Sequence, residues 1–121
     1  MKTVVLLNHS LTEEQKSDLG GTIFELPPEL KKVWGEIPPD VPRFDVTKHL
    51  EPILSWITEK NPDRIVCQGD YTAFTLILKR CWLTGMPLLV ATSKRETAEE
   101  VAADGSVVKK AIFRHIQFRE V

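Results

Sequence analysis

Three short polar stretches each follow an apolar run in this chain. They are Asn8-His9-Ser10 after Val4 to Leu7, Gln68-Gly69-Asp70 after Ile65 to Cys67, and Thr92-Ser93-Lys94-Arg95 after Leu88 to Ala91. If the runs are parallel strands, all three stretches leave the sheet at the same edge. Ligands of open α/β sheets bind beyond the carboxyl ends of the strands, where loops from neighbouring strands converge. The sequence therefore predicts a binding site at that edge.

The third stretch has the composition of an anion site. Two hydroxyl side chains, Thr92 and Ser93, precede the cations Lys94 and Arg95 directly after a buried run. Phosphate is commonly bound by short hydroxyl side chains, Arg or Lys, and loop amides in combination. We expect Lys94 and Arg95 to bind an anion, while a solvated pair of surface cations is the alternative interpretation.

The other two stretches offer an amide, a glycine, a carboxylate and an imidazole. Gly69 allows a backbone to approach a ligand closely, with the Gln68 amide beside it. Asp70 either contributes to the site or simply caps the helix that follows, since aspartate is a preferred N-cap residue. His9, flanked by Asn8 and Ser10, is an acid, a base or a hydrogen-bond donor, unless it is a solvated loop residue.

Several kinds of site are disfavoured. His49 and His115 have no partners at metal-ligand spacing, so we expect no metal. Neither a GxxxxGK[ST] loop nor a GxGxxG fingerprint is present, so we expect no nucleotide or dinucleotide cofactor. No cysteine–histidine or G-x-S-x-G pattern provides a nucleophile. The predicted site therefore has to act through binding, orientation and charge.

Composition predicts one ordinary cytoplasmic domain spanning residues 1–121. The chain is 42% hydrophobic and 27% charged, with a net charge of −1, so it has no broad positive field for a long DNA or RNA. No apolar run approaches the roughly 20 residues that span a bilayer, and Met1-Lys2-Thr3 leads into a strand without a cleavage site. Cys67 and Cys81 have no metal spacing and are expected to be reduced, buried thiols.

Strand-like and helix-like segments alternate along the chain. Thr12 and Gln15 form a capping-box pattern, Gly20-Gly21 ends that helix, and Pro27-Pro28 starts a brief helix through Trp34. One helix is predicted from Val46 through Ile57, with Pro52 obscuring its start, and another, mostly buried, from Tyr71 to Thr84. The predicted strands are Thr3 to Leu7, Thr22 to Leu26, Arg64 to Cys67, and Leu88 to Ala91 after Pro87.

The C-terminal tail does not continue the alternation of strand-like and helix-like segments. Asp104-Gly105 lies between two strand-like runs and predicts an antiparallel hairpin, although Glu96 to Ala103 also fits a helix ended by Gly105. A bulge is expected near Arg114, because no single alternation turns all the tail's apolar residues inward. The fold class predicted is thus α/β, with a three-layer, Rossmann-like, mostly parallel sheet and a C-terminal antiparallel hairpin.

The chain also resembles a known family over nearly its full length. The segments that carry the resemblance are Asn8-His9-Ser10-Leu11-Thr12 with Gln15, Leu26-Pro27-Pro28-Glu29-Leu30 with Val33-Trp34, Gln68-Gly69-Asp70, Ala91-Thr92-Ser93-Lys94-Arg95, Asp104-Gly105, and Phe113-Arg114-His115-Ile116-Gln117-Phe118-Arg119. In this order and chain length, they resemble the small stand-alone CRISPR-associated proteins of type III systems that are related to CARF (CRISPR-associated Rossmann fold) domains.

The resemblance implies a ligand, an activity and an assembly. The ligand is a cyclic oligoadenylate second messenger of antiviral signalling, with the four-adenylate ring expected, and the activity is its cleavage by a ring nuclease. The implied unit is a homodimer that offers the same loops to each half of the ring. Cleavage would use the substrate's 2′-hydroxyl without a metal, Lys94 and Arg95 stabilising phosphoryl charge and His9 moving a proton. Alternatives are a protein that sequesters the ring, or an interaction module docking through Leu26 to Pro42.

Overall fold

Strands and helices alternate up to the fourth strand, after which the chain returns as a long hairpin. The structure is a computed structural model that describes residues 1–121. None of its helices is long and apolar enough to cross a membrane. The elements are β1 (Lys2–Leu6), α1 (Glu13–Leu19), β2 (Thr22–Glu25), α2 (Pro28–Gly35), α3 (Arg43–His49), α4 (Glu51–Lys60), β3 (Arg64–Cys67), α5 (Tyr71–Thr84), β4 (Leu88–Val101) and β5 (Val107–Glu120).

The five strands form one sheet in the order β2-β1-β3-β4-β5. The first four strands run parallel, and β5 is antiparallel to β4. The predicted class, an α/β fold with a mostly parallel sheet and a C-terminal antiparallel pair, is confirmed. The chain passes from β1 to β2 in one direction and from β3 to β4 in the other. The topological switch point, where open α/β sheets form a ligand crevice, therefore lies between β1 and β3.

Alternation along the central strands divides the apolar residues between two cores. Val4 and Leu6 of β1 pack with helices α2 to α5 on one face of the sheet, in a cluster that includes Trp34 and Ile53. Val5 and Leu7 pack on the opposite face with Leu19 of α1. The four-helix side is thus much thicker than the α1 side. The sheet is covered on both faces near β1 and β3, as continuous apolar strands require.

Two helix predictions need correction. The single helix expected from Val46 through Ile57 is two helices, α3 and α4, that meet at Leu50. Pro52 lies in the first turn of α4, where its missing N–H costs no helical bond, whereas inside one continuous helix it would break the ladder. Helix α5 has its predicted bounds but buries only one stripe, and Trp82 and Leu83 are exposed.

The largest departure from the sequence prediction is at β4. Thr92 to Arg95, expected as a loop after a strand ending at Ala91, continue the strand to Val101. The helix considered for Glu96 to Ala103 is also wrong, because Glu96 to Val101 pair with β5. Backbone hydrogen bonding to β5 extends the strand past the point where burial stops, and a pattern of apolar residues does not record such pairing.

The hairpin has the predicted turn and a bulge. Gly105 adopts φ 86°, a conformation that glycine reaches without strain, and Asp104 Oδ1 accepts hydrogen bonds from the Ser106 backbone N and Oγ. These bonds hold the pKa of Asp104 below its usual value. The register shifts between Thr92 and Ser93, leaving Ile116 as the extra residue on β5. The expected bulge therefore lies two residues beyond Arg114.

Candidate functional site

A crevice of about 440 Å³ opens beside the switch point of the sheet. The loop after β1, the loop after β3 and strand β4 each contribute to its wall. Its lining residues are His9, Gln15, Cys67, Gln68, Gly69, Tyr71, Phe74, Val90, Ala91 and Ser93. Residues from all three predicted polar stretches, namely His9, Gln68 with Gly69, and Ser93, thus line one cavity.

The β3 side of the crevice rests on Trp34 of helix α2. The indole is 1% exposed, and its Nε1 donates a hydrogen bond to the Gln68 carbonyl oxygen at 3.0 Å. A Cβ built on Gly69 would lie 2.9 Å from Trp34 Nε1 and 3.0 Å from two further atoms of the ring. Glycine is thus needed at position 69 so that the backbone can pass over the buried indole.

The His9 ring is oriented by its own loop. His9 Nδ1 lies 3.2 Å from the Ser10 carbonyl oxygen, which accepts a hydrogen bond and therefore places a hydrogen on Nδ1. In the neutral ring the lone pair is then on Nε2. The loop is tied down behind the ring, because the Leu11 backbone N donates to Glu25 Oε1 at 3.0 Å. His9 thus has an available basic nitrogen in the wall of the crevice.

Helix α5 begins at the crevice, and Asp70 caps it. Asp70 Oδ2 accepts a hydrogen bond from the Ala73 backbone N at 3.0 Å. The capping interpretation of Asp70 is confirmed, and its carboxylate is absent from the lining of the crevice. The next residue, Tyr71, is 91% exposed, and Phe74 lies one turn further along the same helix. Two aromatic residues therefore line the crevice together with Gln68.

The four residues of the third stretch do not lie together in a loop as predicted. Because alternate side chains of a strand point to opposite faces, Ser93 and Arg95 share one face of β4, and Thr92 and Lys94 share the other. Thr92 Oγ1 donates to the Gln117 carbonyl oxygen at 3.0 Å. Lys94 and Arg95 are exposed on the hairpin and are not among the lining residues. The predicted pair of adjacent loop cations is wrong.

The remaining predicted ligand-binding residues border the crevice without lining it. Asn8 and Ser10 are exposed beside His9. Asn8 is turned toward helix α2, since its Oδ1 would lie 3.1 Å from a Cβ built on Gly35. No group of three or more His, Cys, Asp or Glu side chains is placed to hold a metal ion.

Sequence reasoning missed six lining residues: the strand residues Cys67, Val90 and Ala91, and the helix residues Gln15, Tyr71 and Phe74. Gln15 was assigned to the capping box, which the structure contains, with its Oε1 accepting from the Thr12 backbone N at 3.0 Å. It also lines the crevice, as do Tyr71 and Phe74. An aromatic residue directly after the Gly69-Asp70 turn was an available signal. The apolar run that follows Tyr71 indicated a buried helix instead.

The crevice carries no formal charge of its own. None of the ten lining residues is Asp, Glu, Lys or Arg. Burial, aided by the nearby Cys81, raises the pKa of the Cys67 thiol far above its usual value. Cys67 therefore contributes an uncharged thiol to the wall of the crevice. Arg95 lies two residues beyond Ser93 on the same face, about 7 Å along the strand. An anion in the crevice therefore meets no carboxylate in its wall.

Comparison with known proteins gives a family without an assigned role. The model of the Uncharacterized protein MJ1673 family matches residues 1–119. One relative, Uncharacterized protein MJ1673 of Methanocaldococcus jannaschii, is 29% identical over 126 residues, covering 98% of this chain and 95% of the relative. No solved structure matches the chain significantly. The names of the family and of this relative state no ligand and no activity.

Proposed function

This chain belongs to the Uncharacterized protein MJ1673 family, and we propose that it binds and cleaves a cyclic oligoadenylate, the four-adenylate ring. One observation carries the proposal. His9, Gln68 with Gly69, and Ser93, from segments far apart in the sequence, line a single crevice together with Tyr71 and Phe74. This set supplies stacking, amide, hydroxyl and imidazole groups, which are the groups that an adenylate requires.

The lining residues match the parts of an adenylate. Unstacked bases of single-stranded RNA are bound by aromatic rings and by hydrogen bonds to their edges. Tyr71 and Phe74 provide the rings, and a glutamine amide such as Gln68 pairs with adenine through N6 and N7. Ser93 is available to the ribose or phosphate, and the absence of a lining carboxylate spares the phosphate repulsion. Arg95, next on the same face of β4, is the cation for a phosphate at the rim.

Cleavage is an in-line transesterification within the substrate. The 2′-hydroxyl gives up its proton to His9 Nε2, a P–O2′ bond forms, and the P–O5′ bond breaks. The leaving 5′-oxygen takes a proton from water and His9 returns its proton to the solvent, so that the product is linear with a 2′,3′-cyclic phosphate. Holding the sugar and phosphate in attack geometry, and stabilising the growing charge through Arg95, are the protein's contributions. With two such cuts per ring, cyclic tetra-adenylate gives di-adenylate.

A homodimer is part of this proposal. A four-membered ring has two-fold symmetry, and a two-fold axis between protomers gives each half of the ring the same crevice. Each protomer then contacts two nucleotides. The monomer crevice of about 440 Å³ is far smaller than an entire ring needs, which agrees with a shared site.

A binding protein that sequesters the ring is the second candidate. The observation that favours it is the lack of any Lys or Arg among the lining residues. Charge that develops on the phosphoryl oxygens has no fixed cation inside the crevice, whereas ground-state binding through stacking and amide contacts does not require one.

One assay separates the two candidates. The protein is incubated with cyclic tetra-adenylate and EDTA, denatured, and the nucleotide is identified by ion-exchange chromatography and mass spectrometry. Linear di-adenylate with a 2′,3′-cyclic phosphate supports the nuclease, and intact ring recovered from a tight complex supports sequestration. An unchanged melting temperature with saturating ring would overturn both, because a ligand that binds only the folded state must stabilise it.

A further inference from the structure

We infer that one face of the projecting β4–β5 hairpin is the surface through which two copies of this chain form a dimer. Pairing of β4 with β3 ends at Leu89, opposite Val66, and beyond this point β4 pairs with β5 alone. We call residues 93–115 the arm. Its strands extend about 30 Å beyond the body. Its outer face comprises the alternate residues Arg95, Thr97, Glu99 and Val101 of β4 with Val107, Lys109, Ala111 and Phe113 of β5.

The outer face leaves large apolar side chains in water. Val101 is 75% exposed, Val107 57% and Phe113 69%. The opposite face exposes its apolar residues less, with Val108 46% and Ile112 47% exposed, and its charges are paired, with Glu100 3.0 Å from Lys110 and Glu96 3.5 Å from Arg114. A two-stranded ribbon is marginally stable by itself in water, and large apolar side chains left exposed at both ends of one face indicate a contact site. The outer face is therefore the side of the arm that requires a cover.

The exposed surface area of the whole chain indicates how large the buried interface can be. A compact monomer of 13.8 kDa exposes about 6600 Å² by the usual scaling with mass. The chain exposes 7813 Å², which is about 1200 Å² more. A stable protein interface buries about 800 Å² on each partner. The excess exposed area is thus large enough for one standard interface. We assign it to the arm, because the arm is the element that projects from the body.

The charges of the outer face identify a second copy as the occupant. Arg95, Glu99 and Lys109 belong to this face; Glu99 lies opposite Lys109 and Arg95 lies opposite Phe113 in the strand register, and none of the three forms an ion pair in the structure. A face with a single sign of charge would fit a partner of opposite charge. This face carries both signs beside apolar groups, which is the composition that the shared patch of a two-fold interface needs in order to match a second copy of itself. Glu99 of one copy can then meet Arg95 or Lys109 of the other.

The inference rests on the homodimer of the proposed function and gives it a surface. Arg95 is common to the outer face and to the strand that leaves the crevice at Ser93. Dimerisation would fix the arm and so fix the position of this cation beside both crevices. The mass of the assembly can be measured without nucleotide, so failure of the dimer is distinguishable from failure of ligand binding.

The test is sedimentation velocity of the full chain over a wide dilution series without nucleotide. We expect a dimer for the wild type and a dissociation constant raised at least about 30-fold by Phe113→Glu, as for the loss of an interface hot spot. Phe44→Glu is the matched control, since Phe44 is 68% exposed on helix α3, and it should leave the dimer intact.

A charge exchange tests the choice of partner. Glu99→Lys should weaken the dimer by placing like charges together, and so should Arg95→Glu combined with Lys109→Glu. Mixing the two variant proteins should restore a dimer, and this rescue can only arise between copies, because each chain keeps like charges at its own cross-strand pair 99–109. Circular dichroism establishes that each variant is folded. A wild type that stays monomeric at the highest concentration, or a dimer that Phe113→Glu leaves unchanged, would overturn the inference.

Discussion

His115 Nε2 lies 2.9 Å from Asp18 Oδ2, a contact that joins strand β5 to helix α1. The side chain of His115 is 7% exposed, and its ring stands 4.9 Å from the ring of Phe118. Its Nδ1 is buried and has no hydrogen-bond partner. His115 is also the cross-strand neighbour of Ser93. The contact therefore holds the base of the arm, and with it the β4 wall of the crevice, against α1.

Removing the carboxylate should loosen this junction. Asp18→Ala leaves a second nitrogen of a buried ring without a partner, and we expect the free energy of unfolding to fall by about 1 kcal/mol. Urea denaturation followed by circular dichroism measures the change. Asp40→Ala, at an exposed aspartate in a turn, is the control and should have no measurable effect. Equal stability of the two variants would show that the contact contributes nothing.

The parts of the fold that rest on local signals could be read from the sequence. The capping box of Thr12 and Gln15, the end of α1 at Gly20 and the bounds of α5 are as predicted. Each depends on residues close together in the chain, through a cap, a glycine or a helical apolar period. The location of His9, Gln68 and Ser93 at one crevice followed from strand order alone.

The length of strand β4 could not be predicted from local signals of this kind. From Thr92 onward its residues are polar or charged, so the apolar pattern ends at Ala91, while the strand continues to Val101. The backbone of β5 stabilises this extension through hydrogen bonds that are indifferent to side-chain polarity. Sequence reasoning therefore placed Lys94 and Arg95 together in one loop, whereas the structure places them on opposite faces of a strand. The projection of the arm also depends on the pairing of β4 with β5, so it could not be predicted from local signals either.

His9 is predicted to act in turnover and not in affinity. In His9→Ala the base for the 2′-hydroxyl proton is lost, so the single-turnover rate with cyclic tetra-adenylate should fall by roughly 10²-fold or more. The dissociation constant should change little, because stacking and amide contacts remain. Rapid-quench kinetics and calorimetry give the two values. An unchanged rate would remove His9 from the mechanism, and an equal loss of affinity would make it a binding residue.

Tyr71 is predicted to bind a base by stacking. Its ring is 91% exposed at the first position of α5 and lines the crevice, so Tyr71→Ala removes contact area without disturbing the core. Base–aromatic stacking contributes about 1–3 kcal/mol, and we expect at least a 5-fold weaker affinity for the ring by calorimetry. Phe44→Ala removes an exposed aromatic side chain outside the crevice and should leave the affinity unchanged. Similar losses for both variants would contradict a stacking role.

Gly69→Ala should disturb both stability and the crevice. The new Cβ would lie 2.9–3.0 Å from three atoms of the buried Trp34 ring, which cannot retreat without breaking its hydrogen bond to the Gln68 carbonyl. Overpacking of this kind costs about 1–3 kcal/mol, measurable by denaturation. In Gly35→Ala the new Cβ meets the Asn8 side chain at 3.1 Å, a flexible neighbour, so stability should be retained. A stable Gly69→Ala protein with unchanged ligand affinity would show that Trp34 does not constrain this loop.

The two thiols are predicted to be inert until the protein unfolds. Cys67 is 0% exposed and Cys81 is 2% exposed, and burial raises the pKa of both above the usual 9.0. The thiolate is the reactive form, so a disulfide reagent at neutral pH should react slowly with the native chain and rapidly with two thiols after denaturation. Rapid labelling of a native thiol would contradict the burial that the crevice wall requires.

The same shift fixes the sign of a pH effect on stability. Above pH 9 the unfolded Cys67 loses its proton while the folded one keeps it, so alkali favours the unfolded state. The contribution of Cys67 is complete below pH 9 and should decline by about 1.4 kcal/mol for each further pH unit. Urea denaturation at several alkaline pH values measures this slope. Cys67→Ala is the control: its stability is lower at neutral pH because a small cavity is created, but its decline with pH should be shallower than that of the wild type. Parallel pH profiles of the two proteins would show that Cys67 ionises equally in both states, and hence that water reaches the base of the crevice.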